Sequence, residues 1–349
     1  MKAVVIRAHG GPEVMQYGEI ETPKVGPNDV LIKLEAVGVN RFDVSARRGD
    51  VPYAKVSFPH VLGVEGAGRV VDKGNNVATF DVGDRVMPML TTSRGLCRHP
   101  VCYCAQGYDN ICADFDKLGL THWGTYAEYV KVTHHNVIRI PDKLSSVDAA
   151  AGQVAMATAW ELAMSRCKIR QGETVLVNAA GGAVGSAAVQ IARLAGARVI
   201  ASAGSDEKLE RAKQFGADAV VNYNRQNLLD EVKRLTGGRG VDAVIESVGG
   251  TILQQSIEAL VHNGRLATAG SIGRAKVEID IFRLLRKQIW LTGTHFAPKE
   301  TNKVVLNLLA EGKLRPVLAR LFPLADAPAA HQMLESRDFV GNMVLQVAP

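Results

Sequence analysis

The segment that most restricts the fold is Val175-Leu176-Val177-Asn178-Ala179-Ala180-Gly181-Gly182-Ala183-Val184-Gly185. A short apolar strand ends in a turn of small residues. It feeds directly into a helix whose Val184, Ala188, Ile191 and Ala195 recur at three- and four-residue intervals and so share one face. The alternation then repeats. Strand-like segments at 174–178, 198–202, 219–222, 241–247, 265–269 and 289–293 are separated by amphipathic helical stretches. Short buried strands alternating with helices predict an α/β fold with a doubly wound parallel sheet, because each parallel crossover needs a covering helix.

The first 140 or so residues have a different texture. Val-rich segments at 30–39, 68–71, 84–87 and 126–132 are punctuated by Gly-Pro, Gly-Asn and Gly-Asp, the signature of a β-rich domain. An Ala-rich stretch at 147–164 predicts a long helix at the junction. The tail at 294–349 reads as one more helix and a final strand, Met343-Val344-Leu345. It is too short to be a domain and is expected to pack on the N-terminal half. The expected division is therefore a domain of residues 1–149 completed by 295–349, and a second of 150–294.

No apolar run approaches the ~18–20 residues of a membrane span. Ala3-Val4-Val5-Ile6 is shorter than a signal-peptide core and reads as a first strand, so a cytoplasmic protein is expected. The formal net charge of +6 comes from dispersed Lys and Arg with no basic run, which disfavours nucleic acid and suits a ligand carrying phosphates.

Such a ligand is what the strand–turn–helix segment predicts. In the dinucleotide fingerprint G-x-G-x-x-G, the second glycine lets backbone approach a pyrophosphate and the third lets helix pack on strand. Gly182 and Gly185 fill these places and Ala180 replaces the first glycine, leaving the N–H groups of Ala183 and Val184 to face phosphate. An NAD site wants a carboxylate at the end of the next strand to hold the ribose 2′-hydroxyl. Ala203 stands there instead, followed by Gly204, Ser205 and Lys208, which suit a 2′-phosphate. Asp206 and Glu207 read as the first turn of a helix, where negative charge meets the dipole. The expected cofactor is NADPH.

Gly38-Val39-Asn40-Arg41-Phe42-Asp43, Leu62-Gly63-Val64-Glu65-Gly66-Ala67-Gly68, Val82-Gly83-Asp84-Arg85-Val86, the 179–185 turn and Gly264-Arg265-Leu266 together span most of the chain. As a set they resemble the medium-chain dehydrogenase/reductase superfamily, which joins a GroES-like catalytic domain to a Rossmann domain. Its zinc alcohol dehydrogenases hold a catalytic zinc with Cys, His and Cys. The matching positions here are Asn40, Val64 and Val154, and Phe42 matches their proton-relay hydroxyl. Asparagine and valine do not supply the thiolate, imidazole or carboxylate that zinc requires. The chain is more similar to the quinone oxidoreductase branch, in keeping with Ala157-Thr158-Ala159-Trp160-Glu161. That resemblance implies an NADPH-dependent reductase of quinones, enones or other activated alkenes, working without catalytic zinc. It also implies that Thr158, Tyr223, Ser247, Gly270, Phe296 and Asn342 line the cofactor, with Asn342 standing where relatives usually carry Lys.

Four of the five cysteines fall between Cys97 and Cys112. Cys97, Cys102, Cys104 and Cys112 give C-x4-C-x-C-x7-C, against C-x2-C-x2-C-x7-C in the structural zinc lobe of alcohol dehydrogenases. Four thiols in a short polar loop predict one structural zinc per chain, with His99 as a substitute ligand if the altered spacing displaces a cysteine. For chemistry, Asn40 is a candidate for contacting nicotinamide ribose or substrate, and a turn residue after a strand carries the same signature. Tyr53 is a candidate proton donor, and Arg41 a candidate for stabilising an enolate. Two rival functions remain open on the sequence, a zinc-type alcohol dehydrogenase and a non-enzymatic NADPH-binding protein. The apolar strand at 289–293, last in its sheet, predicts pairing with a second copy as a homodimer, with a tetramer the next alternative.

Overall fold

The structure is a computed structural model, and it describes residues 1–51, 56–93, 101–112, 115–270 and 276–348. The chain divides into two compact units, one of Met1–Val154 with Pro298–Pro349 and the other of Ala155–Ala297. Among the described residues no helix is long and apolar enough to cross a membrane.

In the second unit six strands pair in parallel, in the order Ala219–Asn222, Arg198–Ala203, Thr174–Val177, Val241–Glu246, Leu260–Thr268 and Trp290–Gly293. The first strand in sequence lies in the middle, and the order reverses beside it, which is the doubly wound arrangement. Thr174–Val177 is buried along its whole length, which explains its unbroken apolar sequence. The turn after it is tight. A Cβ on Gly185 would lie 2.1 Å from the Ala179 carbonyl oxygen, so the Ala183–Leu194 helix approaches this closely only with glycine there. Ala179 itself takes a left-handed φ of 52°, one residue before the Ala180 that matches the first glycine of the fingerprint.

The first unit is built on a seven-stranded sheet in which Asp29–Val39 pairs antiparallel with Ala67–Lys73, Tyr129–Thr133 and Asn342–Gln346. Its apolar face joins the Lys2–Ile6 strand in one buried cluster. The C-terminal segment belongs to this unit, with Met343 opposite Val39 and Leu345 opposite Val37.

The tail differs from the sequence expectation. It holds two helices, Lys299–Ala310 and Ala327–Ser336, and two strands, Leu318–Pro323 and Asn342–Gln346. Pro328 reads as a breaker but sits in the first helical turn, where its missing N–H costs nothing. The strand expected at 265–269 begins at Leu260, because Asn263-Gly264 does not end it; Asn263 adopts φ 57° inside it. The long helix is α-helical over Ser146–Trp160 and widens to a π-helix over Glu161–Arg166.

A chain of buried polar groups ties the first unit's N-terminal helix, Arg41–Arg48, to the C-terminal helix Ala327–Ser336. Arg47 donates to His331 Nδ1 at 3.0 Å and to Glu335 at 2.6 Å, and its Nε reaches the Gly10 carbonyl at 3.1 Å. His331 Nε2 lies 2.9 Å from the Tyr126 hydroxyl, which donates to Asp43 at 3.2 Å. A guanidinium only donates, so His331 accepts at Nδ1, carries its proton on Nε2 and is neutral. Burial, with Arg47 beside it, holds His331 down to about 3, and burial raises Asp43 to about 7.

Replacing Tyr126 by Phe breaks the middle of this chain and leaves His331 and Asp43 each short of a partner. The expected loss is about 1–3 kcal/mol at pH 7, read as a lower denaturant midpoint at unchanged slope. His331 has a folded value depressed from 6.5 to about 3, so its contribution is present above pH 6.5 and is lost as the pH falls toward 3. A His331→Asn variant is expected to lack that part of the acid dependence.

Candidate active site

The residues expected at the cofactor in the second unit converge on one edge of its sheet, the carboxyl ends of the parallel strands. Gly182, Ala183 and Val184 follow Thr174–Val177, and Ser205 and Lys208 follow Arg198–Ala203. Tyr223 follows Ala219–Asn222, Ser247 follows Val241–Glu246, Gly270 follows Leu260–Thr268, and Phe296 follows Trp290–Gly293. Ligands of open α/β sheets bind at this edge, outside the reversal of strand order. Thr158, almost buried, belongs to the same unit. Asn40 and Asn342 belong to the other.

Local geometry suits phosphate. Gly182 begins the Ala183–Leu194 helix with no side chain capping it, so its first N–H groups remain available to an anion. A Cβ on Gly182 would meet only the Ala179 oxygen, at 3.5 Å, so the turn is open on that side. Lys208 lies against the turn, its Cγ 2.6 Å from where a Gly181 Cβ would stand. Gly181 is thus small because the lysine stem crosses it. Ser205 caps the Asp206–Gln214 helix through backbone, not through its hydroxyl.

The nearby acid is already engaged. Asp206 accepts from Asn222 at 2.6 Å and from Arg225 at 2.5 Å. The Tyr223 ring lies over Gly204, its Cε2 3.2 Å from that glycine's Cβ direction. Phe296 adopts φ 56° and packs on His295 with ring centroids 4.3 Å apart.

In the first unit two of the three positions that the resemblance aligns with zinc ligands, Asn40 and Val154, are drawn around one carboxyl group. Asn40 Nδ2 donates to Glu65 Oε1 at 2.6 Å, and the Val154 backbone N–H donates to Glu65 Oε2 at 2.7 Å. Val64, between them in the motif, is fully buried. Glu65 fits because Gly38 lacks a side chain; a Cβ there would lie 2.0 Å from Oε1. Burial raises the Glu65 carboxyl to about 8, against the pull of its hydrogen bonds to Val154 and Asn40. Asn40 is held from the other side, since its N–H donates to Asp43 Oδ2 at 2.8 Å.

Asn342 also turns inward. Its amide donates to the Ala151 carbonyl at 3.1 Å and its oxygen accepts from the Met343 N–H at 2.9 Å. Most of its hydrogen-bonding capacity is therefore used within the first unit.

Tyr53, Cys97 and His99 lie outside the described residues. Cys102, Cys104 and Cys112 carry thiols rather than disulfides, and the Ala105 N–H points at Cys102 Sγ from 3.4 Å. Among the described residues no three His, Cys, Asp or Glu side chains are grouped to hold a metal.

Two residues escaped the sequence reading. Glu65 was visible only as part of a motif, and its one signal was an acid among glycines and apolar residues. Lys117 gave no signal at all, although it is buried, lies 5.7 Å over the Phe42 ring and is brought down to about 8 by burial.

The chain matches the alcohol dehydrogenase GroES-like domain over residues 26–142 and the zinc-binding dehydrogenase family over residues 183–311. It is 31% identical to the quinone oxidoreductase of Sus scrofa over 353 aligned positions, covering 99% of this chain and 97% of that protein. It is 30% identical to the acryloyl-coenzyme A reductase of Metallosphaera sedula, covering 99% of each. Among solved structures, an NAD-dependent alcohol dehydrogenase superposes with a TM-score of 0.93 at 40% identity, over all of both chains. The motifs, the two-unit fold and these relatives agree: the chain belongs to the medium-chain dehydrogenase/reductase superfamily of oxidoreductases.

Proposed function

We propose that the protein is an NADPH-dependent reductase of conjugated carbonyl compounds, quinones or enones, and that it works without a catalytic metal. The observation that carries this reading is the Glu65 carboxyl group, hydrogen-bonded to Asn40 and to the Val154 N–H. An amide and two aliphatic side chains stand where a Lewis acid would need strong ligands, and the one carboxyl group between them is buried and raised to about 8. A donor set of this chemistry does not fit zinc. Quinone oxidoreductase and acryloyl-coenzyme A reductase relatives are in keeping with reduction of a polarised double bond.

When bound, the reduced nicotinamide supplies the hydride. The chain's task is to hold that cofactor and to stabilise the charge the substrate develops. Gly182 and the N–H groups of Ala183 and Val184 take the pyrophosphate. Ser205 and Lys208 take the 2′-phosphate, where Asp206 is paired with Arg225 and accepts a hydrogen bond from Asn222. Asn40, fixed by Glu65 and Asp43, presents its amide oxygen and second N–H from a rigid position.

A second reading, alcohol oxidation, is favoured by the 40% identity to an NAD-dependent alcohol dehydrogenase. Turnover of primary or secondary alcohols that gentle chelation abolishes, with fold and assembly intact, would establish that reading and overturn the first. The deciding screen follows nicotinamide oxidation with quinones, enones, enoyl thioesters and aldehydes.

Fluorescence titration is expected to give tighter binding of NADPH than of NADH, and equal affinities would defeat the assignment. Lys208→Ala should weaken NADPH by about tenfold to a hundredfold, the equivalent of a charged hydrogen bond of about 1.5–3 kcal/mol, and leave NADH nearly unchanged.

The cysteine cluster is proposed to hold one structural zinc, for which thiolates are the right donors. Metal analysis should give about one zinc per chain, and Cys104→Ser should release it and lower the melting temperature while activity per folded molecule survives. Zinc-free protein prepared without chelators would dismiss this site.

Assembly is proposed to be a homodimer through the edge strand Trp290–Gly293. Trp290 is 65% exposed there, and Ile281, Phe282 and Leu285 are exposed on the preceding Ile281–Lys287 helix. Light scattering at micromolar concentration should report a dimer, and Phe282→Lys with Trp290→Lys should give a monomer.

A further inference from the structure

Reduction of a conjugated carbonyl without a metal calls for hydrogen-bond donors or positive charge where the carbonyl oxygen gains charge, and for a proton to complete the product. The substitutions that remove the zinc ligands also remove the hydroxyl relay, whose place is taken by Phe42. The Phe42 ring is itself faced by a cation, Lys117 Nζ, 5.7 Å from the ring centroid.

Lys117 is held as a preorganised group is held. It ends the Phe115–Lys117 strand, whose partner is Thr91–Ser93. Its carbonyl accepts from the N–H groups of Leu120 at 3.2 Å and Thr121 at 3.0 Å, and from the Thr121 hydroxyl at 3.1 Å. Its own N–H donates back to that hydroxyl at 3.0 Å. On either side of Gly119, Leu118 and Leu120 are anchored in the core. The loop then closes on the segment that carries Val64 and Glu65. A Cβ on Gly119 would lie 2.3 Å from the Gly63 oxygen, the Thr125 N–H donates to that oxygen at 3.0 Å, and the Thr125 hydroxyl donates to the Glu65 carbonyl at 2.7 Å. Phe42, two residues after Asn40, brings the helix start to the same place.

We propose that Lys117 is a catalytic residue, the cation that stabilises the substrate's developing oxyanion and delivers the proton to it. The proposal deepens the metal-free reductase reading and rests on it. Lys117 is only 2% exposed, and the Phe42 quadrupole favours the ammonium form at such a site. Burial brings Lys117 down to about 8, so it remains largely protonated at neutral pH yet gives its proton up readily.

The alkene's β-carbon gains a hydrogen with its electron pair from reduced nicotinamide, and the C=C pair shifts toward the carbonyl, whose oxygen takes the charge. A Lys117 N–H bond breaks as the O–H bond of the enol forms, and the enol tautomerises to the saturated ketone. The neutral amine regains a proton from water.

Among the described residues, the charged groups on the segments around Lys117 are these. Arg41 and Asp43 flank Phe42, Glu65 lies on the segment beneath the loop, and Asp116 next to Lys117 is paired with His122 at 2.8 Å. Of these, Glu65 has a value near that of Lys117, so the pH test must separate the two.

Lys117→Met and Lys117→Arg are compared with the parent protein by NADPH-dependent reduction of 2-cyclohexen-1-one across pH 6–10, and by the absorbance of bound 4-nitrophenol, an oxyanion mimic that needs no turnover. In the parent, kcat/KM falls as the pH rises through about 8 and Lys117 loses its proton. Lys117→Met should lower kcat by about a hundredfold or more with NADPH affinity and melting temperature kept. Lys117→Arg should retain part of the rate and lose the alkaline limb, which would persist if Glu65 caused it. The parent should bind 4-nitrophenol as the phenolate below its solution pKa, and Lys117→Met should not. A Met variant within threefold of the parent, or an alkaline limb unmoved in the Arg variant, overturns the proposal and leaves the reductase reading standing. If the parent reduces no enone or quinone, the reductase reading fails, and Lys117 is judged on 4-nitrophenol alone. Phenolate binding lost with Lys117 supports an oxyanion site there, and binding that is unchanged in the Met variant, or absent in the parent, rejects it.

Discussion

The hydrogen bonds that Glu65 receives are the constraint on which the first unit's centre depends. They gather Asn40, Gly38 and Val154, from segments more than a hundred residues apart, around one buried carboxyl group. Each neighbour's identity follows. Residue 38 must lack a Cβ, residue 40 must donate from its side chain, and residue 154 needs only its backbone, so an aliphatic side chain is tolerated there. A carboxyl group buried without a cation beside it is forced toward its protonated form. The arrangement therefore holds little net charge, whereas a zinc site at the same positions would be built around two positive charges.

A second buried polar chain, from Asp43 through Tyr126, His331 and Arg47 to Glu335, meets the first at Asn40. Asp43 is common to both, since one of its oxygens takes the Asn40 N–H and the Tyr126 hydroxyl. The start of the Arg41–Arg48 helix is thus fixed by groups contributed from the chain's far end. This explains why the last fifty residues complete the first unit and do not form an appendage. The Asn342–Gln346 strand lies beside Asp29–Val39, and Asn342 turns its amide to Ala151.

Much of the second unit was legible in the sequence because its determinants are local. Strand, turn and helix occupy one continuous segment at 174–194, and each of the six strands announces itself by its own apolar run. Boundaries failed where a local signal was overridden, as at Asn263-Gly264 inside a strand and Pro328 in a helix's first turn. The first unit was legible as a set of motifs but not as a site. No spacing in the sequence connects Glu65 to Val154 or Lys117 to Phe42; those pairings exist only after a sheet has closed. The fingerprint's first glycine shows the same limit on a smaller scale. Matching placed the exception at Ala180, while the backbone places the left-handed residue at Ala179.

The two kinds of determinant also differ in what substitution can do to them. At the sheet edge, Gly181, Gly182 and Gly185 are constrained by three different neighbours: the Lys208 stem, open space for a ligand, and the Ala179 carbonyl. Lys208 and Ser205 stand at a helix start, where a side chain can change without disturbing the core. Around Glu65 the identities of residues 38 and 40 are tied to the same carboxyl group, so neither changes without disturbing it, whereas residue 154 contributes only its backbone N–H. A metal there would require ligands at 40, 64 and 154 together and room for the ion where the Glu65 carboxyl stands. Intermediate sequences would bury an unpaired carboxylate or an unfilled ligand set, so the polar tie, once formed, is kept by its own cost of removal.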